Sequence, residues 1–186
     1  MAMAATVPRY TAEEVRQFED RGVRYEVIRG DLFVTPAPGT PHQLLVVELA
    51  HLLYDYLAVH HLGRVITGPF EVEFSDDSAV QPDLLVVLHT QRSRLTPERH
   101  QGPPALVIEI ISYSSKRTDR LQKRELYLSE GVPEYWIVDP DLKRIEHWRP
   151  DHSAPEILTK EITWQPTPKT PPLAIELPHL FRASEI

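Results

Sequence analysis

The chain has 186 residues, of which 41% are hydrophobic, and a formal charge of −7 at neutral pH. That size and apolar content suit one domain with its own continuous core. The absence of cysteine excludes disulfides, thiolate catalysis and zinc–cysteine or iron–sulfur centres, and the acidic balance argues against coating nucleic acid through overall charge, leaving that task to a local basic patch.

Apolar stretches such as 44–50 and 105–111 fall well short of the ~20 residues that span a bilayer, and the N-terminus lacks a signal-peptide pattern. The expectation is a soluble cytoplasmic protein with no membrane partner. Thr11 followed by Glu14 makes a capping box that opens a short helix carried to about Asp20, with Gly22 as its stop. Residues 25–28 and 31–35 flank Arg29-Gly30 and predict a hairpin. The Pro-rich stretch 36–41 breaks the chain. From His42 to about His60, Leu45, Leu49, Leu52, Leu53, Tyr56 and Leu57 recur at helical spacing and predict the longest helix, with one buried face. Gly63 stops it, and residues 64–74 predict one extended strand in which Glu71 and Glu73 alternate with Phe70, Val72 and Phe74.

After an Asp76-Asp77-Ser78 turn come two apolar runs, 84–88 and 106–111, whose lack of polar alternation marks central strands covered on both faces. A polar loop, 89–104, joins them. Ser114 or Ser115 caps a helix running to about Glu130, ended by Gly131 with Pro133 beyond. Residues 135–139 and 144–148 predict a last hairpin. Beyond Pro150 the sequence predicts one strand over 156–164 and an extended tail over 166–181, an appendage packed on a core of about residues 24–149. This order describes an α/β (α+β) chain: a mixed central β-sheet flanked by helices, with an N-terminal helix and hairpin extension, forming one domain over 1–186.

The chemistry gathers on the central strands. Pro82-Asp83 begins one and Glu109 lies inside the next, so neighbouring strands can bring two carboxylates together where Mg²⁺ or Mn²⁺ would find the oxygen donors it prefers. An acid within the run 106–111 needs a partner, because an ionised carboxylate is costly in a core; a salt bridge to a cation serves as well as a metal. From Glu109 to the strand end near Ser112 is roughly 10 Å at about 3.3 Å per residue. Returning along the helix from Ser115 to Lys123 covers roughly 12 Å at 1.5 Å per residue, which brings Lys123 back to the level of Glu109. Asp119, Lys123 and Tyr127 share a helical stripe with Leu126 that can face the sheet. Leu121 and Leu128 offer a competing stripe, which would leave Asp119 and Lys123 as an exposed ion pair.

Tyr25-Glu26, His42, Pro82-Asp83, Glu109 followed by Ser112, the Asp119/Lys123/Tyr127 series and the block Gly131-Val132-Pro133-Glu134-Tyr135-Trp136-Ile137-Val138-Asp139-Pro140 resemble a large bacterial family of uncharacterised restriction-endonuclease-like proteins. The resemblance spans roughly residues 10–150, and the family belongs to the PD-(D/E)XK nuclease superfamily. It implies a restriction-endonuclease-like core in which Asp83 and Glu109 bind the metal and Glu26 adds a further acid. Where the superfamily motif carries lysine two residues after the acid, this chain has Ile111. The resemblance moves that lysine to the following helix, the place the length argument gives Lys123.

The implied activity is Mg²⁺- or Mn²⁺-dependent hydrolysis of DNA phosphodiesters by an endonuclease, with Asp83, Glu109, Lys123 and Glu26 at the catalytic site. His42 at the head of the long helix is a phosphate or metal-water contact, or else a packing residue. Lys116, Arg117, Arg120 and Arg124 beside Lys123 offer phosphate contacts, or else form a solvated helix face. DNA is the expected partner and a homodimer the expected assembly; no Gly-rich phosphate loop calls for a nucleotide cofactor. The alternative is a non-catalytic binding or regulatory module that keeps the nuclease fold.

Overall fold

A computed structural model describes residues 9–19, 21–112 and 115–185. The N-terminal helix α1 (Ala12–Arg16) opens with the Thr11/Glu14 capping box as the sequence predicts, but it is one turn long and ends before Phe18; its expected end at Asp20 lies outside the described residues. β1 (Val23–Ile28) and β2 (Asp31–Pro36) form the predicted hairpin in full register. Arg29 and Gly30 both have positive φ, 50° and 83°, the geometry whose twist matches paired strands and which glycine supplies without strain. α2 (Thr40–Val59) starts two residues earlier than the Pro-rich stretch suggests, because proline is tolerated in a first turn that needs no N–H.

Residues 64–74 are not one strand. Pro69, which has no N–H to give a ladder, separates β3 (Gly63–Thr67) from β4 (Glu71–Ser75), and the two join different sheets. β5 (Ser78–Val80), too short to announce itself, pairs with β4 and β1. β6 (Leu84–Leu88) follows at once across Gln81-Pro82. The loop to β8 (Leu106–Ile110) carries a 3₁₀ turn at His89–Arg94 and the short β7 (Arg99–Gln101), which pairs parallel to β4. The helical run over 116–129 has three parts: α3 (Lys116–Thr118), a π-helical turn at Asp119–Lys123 and α4 (Arg124–Ser129). Gly131, with φ 80°, closes it. Of the two serines offered as its cap, Ser115 precedes it without capping by its side chain, and Ser114 lies outside the described residues. β9 (Tyr135–Asp139) and β10 (Arg144–Trp148) form the last predicted hairpin.

Two larger sheets result, ordered β2-β1-β5-β4-β7 and β11-β10-β9-β8-β6-β3, where β11 is Glu156–Leu158. The second is mixed, because β8 and β9 run parallel while its other neighbours are antiparallel. It is the middle layer. Leu84, Val86, Leu106, Ile108, Ile110, Trp136 and Val138 pack on one face with α2. Leu85, Val87, Val107, Ile111, Tyr135 and Ile137 pack on the other with Val72 and Val80 of the five-stranded sheet and Leu126 and Tyr127 of the helical run. Successive residues of one strand thus enter opposite cores, which is why these runs show no polar alternation. The result is the mixed α/β architecture the sequence predicts.

Beyond Pro150 the chain is more ordered than an extended tail. The single strand expected over 156–164 is split into β11 and β12 (Glu161–Trp164), and the segment 166–181 contains β13 (Leu173–Glu176) and the helix α5 (Leu177–Arg182). Ile162, Trp164, Ile175, Leu177, Leu180 and Phe181 are all buried in the α2 core. Leu180→Ala is therefore expected to lower unfolding free energy by about 3 kcal/mol in urea titrations; a change below ~0.5 kcal/mol, the scale of surface substitutions, would show that the last helix docks without stabilising the core. Among the described residues, no helix is long and apolar enough to cross a membrane.

Candidate active site

The antiparallel register of β6 and β8 pairs Leu84 with Ile108. One step further along it, Asp83 stands across from Glu109, on the face that looks toward the five-stranded sheet. The backbone N–H of Ile110 donates to Asp83 Oδ2 at 2.8 Å, tying the first acid to the strand of the second. On β1, Arg24 and Glu26 are two residues apart and so share a face of the strand. Arg24 Nη1 donates to Asp83 Oδ1 at 2.8 Å, and Glu26 Oε1 accepts from the Gln81 N–H at 2.7 Å. The site forms where the chain passes from one sheet to the other through Gln81-Pro82-Asp83.

The helical run delivers the lysine. Lys123 Nζ lies 2.9 Å from Glu109 Oε1, 2.8 Å from Glu26 Oε1 and 3.6 Å from Asp119 Oδ1. Tyr127 donates its hydroxyl to Glu109 Oε1 at 2.9 Å. The stripe of Asp119, Lys123 and Tyr127 faces inward, and the competing Leu121 is 44% exposed. A π turn covers Asp119–Lys123, a departure from α geometry that tends to fall at functional sites. Tyr135 donates to the Asp119 carbonyl at 3.1 Å.

Four buried carboxylates, Glu26, Asp83, Glu109 and Asp119, thus share Lys123 and Arg24. For Asp83, burial favours the neutral acid, but the His42 hydrogen bond and charge, Arg24 and the Ile110 N–H outweigh it and hold its pKa at about 2. Glu109 goes the other way. Burial, reinforced by Asp119, Asp83 and Glu26, pushes it well above the ordinary value despite Lys123. Lys123 is raised: burial opposes its charge, but Glu109, Glu26 and Asp119 prevail.

Burial, Asp83 and Glu26 also lift Asp119 from 3.8 to about 6, against Lys123 and a Ser115 hydrogen bond. Because the folded state binds this proton more tightly than the unfolded chain, the stabilising contribution is complete below about pH 4 and disappears as pH rises through about 6. The shift is on the order of 3 kcal/mol. Asp119→Asn is accordingly expected to be more stable than wild type by about 1–3 kcal/mol near pH 8 and close to it near pH 4. Urea titrations at both values test this, and a variant less stable at the higher pH would mean that Asp119 serves mainly as a partner of Lys123.

A cavity of about 460 Å³ opens beside the cluster, with Arg24, His42 and Asp83 in its wall. Glu26, Glu109 and Lys123 do not line it, so solvent reaches the acids at Asp83. His42, in the first turn of α2, places Nε2 2.9 Å from Asp83 Oδ2. The flanking basic residues disperse. Lys116 pairs with Asp141 at 2.6 Å, Arg120 with Asp139 and Glu146, both at 2.7 Å, and the Arg124 guanidinium lies 4.8 Å from the centre of the Trp148 ring. Arg117 is exposed. None of the four lines the cavity. The guanidinium that meets Asp83 is that of Arg24, which sequence reasoning missed because the predicted strand began at residue 25; its signal was the period-2 spacing to Glu26.

Oxygen donors of this kind suit Mg²⁺ or Mn²⁺, which often take one or two carboxylates and complete their shell with water and substrate phosphate. Glu26 Oε2 is buried without a hydrogen-bond partner, as an oxygen reserved for a cation would be. Among the described residues, no three His, Asp or Glu side chains form a metal-holding group by themselves. An ion held here would draw on one or two of these carboxylates and on water, not on a closed protein cage.

A family profile described as "Uma2: Putative restriction endonuclease" matches residues 12–178. The chain belongs to the Uma2 family. It is 23% identical over 151 residues to an uncharacterised protein of Synechocystis, covering 80% of this chain and 85% of that one. A crystal structure of a "putative nuclease belonging to DUF820" from Anabaena variabilis superposes with a TM-score of 0.77 at 20% identity, covering 94% of this chain and 99% of that one. At that identity the likeness is one of fold. Membership in Uma2 makes the restriction-endonuclease-like family a finding; in this chain Lys123 stands on the helical run and Ile111 is buried in the core.

Proposed function

We propose that this Uma2 chain is an endonuclease that hydrolyses DNA phosphodiesters with Mg²⁺ or Mn²⁺ in the cytoplasm. The observation that carries the reading is the arrangement at the sheet junction: Lys123 Nζ 2.9 Å from Glu109 Oε1, with Glu109 across the register from an ionised Asp83 that lines the cavity. Asp83 and Glu109 would hold the ion, with Glu26 Oε2 as a further donor. Such an ion would supply Lewis acidity toward a water and toward the phosphate charge. The protein's own residues prepare the place. Arg24 and the Ile110 N–H fix the Asp83 carboxylate, His42 orients it from α2, and Lys123 supplies fixed positive charge beside Glu109 without the reorganisation that water would need. Lys116 and Arg117 meet DNA phosphates outside the cavity. A homodimer would present two such sites to two strands, and sedimentation of the purified protein tests that assembly.

The test is cleavage of duplex, nicked and single-stranded DNA by the purified protein with Mg²⁺ or Mn²⁺ and with chelator. Metal-dependent products that disappear in Glu109→Gln are expected. A second reading, a nuclease-fold module that binds without cutting, draws on one observation: Lys123 is only 2% exposed and is enclosed by three carboxylates. Tight DNA binding with no products on any of the three substrates would favour it.

A further inference from the structure

The cavity beside Asp83 has more to it than access to the acids. We propose that it is a subsite for one unstacked nucleobase, so that the preferred substrate presents an unpaired nucleotide next to the bond at Asp83; this rests on the phosphodiesterase reading above. The volume of about 460 Å³ lies in the range of small-ligand pockets and is too small for a stacked duplex. Its wall is largely apolar and aromatic. Phe18 and Tyr25 meet edge to face with ring centroids 5.2 Å apart, and Pro38 and Val46 add flat or branched apolar surface. Rings and apolar side chains of this kind are what bases stack on once they leave the helix. Gln43 and Gln81 also line it and bring side-chain amides of the kind that can read a base edge.

Two nitrogens strengthen the assignment. Arg24 Nε and His42 Nδ1 are buried without a hydrogen-bond partner, and both residues line the cavity. Buried polar groups are rarely left so; a nucleotide offers acceptors for Arg24 Nε and, through base N–H groups or acceptors, a partner for His42 Nδ1 in either tautomer. Arg24 and His42 also hold the two oxygens of Asp83, so a base in the cavity places its own phosphate beside the carboxylate. A stacked duplex keeps its bases inside the helix and offers the cavity nothing to stack; an extruded, looped or single-stranded nucleotide does.

The experiment measures binding without metal, then cleavage with it, on three oligonucleotides: fully paired, with one unpaired nucleotide, and single-stranded. The unpaired position carries 2-aminopurine. Tighter binding of the two unpaired forms is expected, together with a change in 2-aminopurine emission that is absent when the probe lies within paired sequence. Phe18→Leu/Tyr25→Leu is expected to narrow the affinity gap by about tenfold; should that variant not fold, the wild-type emission still decides. Equal affinities with unchanged emission would overturn the subsite even if metal-dependent cleavage is found. The preference and the emission change without cleavage of any substrate would keep the subsite and remove the nuclease reading. Absence of all DNA binding would remove both.

Discussion

Lys123→Met is expected to destabilise the protein by on the order of 3–5 kcal/mol at about pH 8, as removal of one member of a buried ionic group does. The variant keeps the length of the side chain but leaves Glu26, Glu109 and Asp119 with no cation among them, and all three are buried. Against a total stability of about 5–15 kcal/mol, that loss can be most of what holds the fold. It should shrink near pH 5, where Glu109 and Asp119, both raised, take up protons more readily. Glu109→Gln added to Lys123→Met should restore part of the loss by removing one of the charges left unpaired. Urea titrations of both variants at the two pH values measure this. A loss below ~1 kcal/mol for Lys123→Met at the higher pH would mean that the acids are already neutral and that the lysine contributes little to folding. Since Lys123 is also placed at the reacting centre, loss of cleavage in this variant alone says nothing about chemistry until its folding has been measured.

Asp83→Asn should have a different profile: a folding cost on the order of 2 kcal/mol at neutral pH, since His42, Arg24 and the Ile110 N–H favour the ionised acid, and a loss of cleavage of at least about 10²–10³-fold, the scale seen when one preorganised electrostatic group is removed from a site. The amide keeps an acceptor for the Ile110 N–H, and Arg24 is partly exposed, with 17% of its side chain accessible, so its charge can turn to solvent. What disappears is the one carboxylate of the cluster that both lines the cavity and stays ionised at neutral pH. Single-turnover cleavage with saturating Mg²⁺, alongside metal-free DNA binding, separates the two effects. Unaltered cleavage would remove Asp83 from the reaction and shift attention to Glu26 and Glu109.

Elements with strong local signals are legible in the chain's own residues. The capping box at Thr11 and Glu14, the Arg29-Gly30 hairpin, the apolar stripe of α2 and the stop at Gly131 each follow from a residue's own backbone or periodic preference. Where a local signal is missing or misleading, expectation and fold part. Residues 64–74 alternate as one strand, yet Pro69 divides them between two sheets, and the tail after Pro150, though rich in proline, buries Trp164 and Phe181 in the α2 core. Periodicity marks a face as apolar; it does not say which layer covers that face.

The candidate site divides along the same line. The sequence by itself determined that an acid stands inside a buried strand, that another begins the preceding central strand, and that a lysine returns on the following helix to the level of the first, because strand and helix rises are constants of the backbone. Only the tertiary structure decided that the stripe of Asp119 and Lys123 faces inward and not toward solvent. It alone brought Glu26 and Arg24 from another sheet onto Lys123 and Asp83, and separated Lys116, Arg117, Arg120 and Arg124 from the cavity. Those meetings join residues up to 97 positions apart, and they depend on strand register and on how two sheets pack, which no short stretch of sequence encodes.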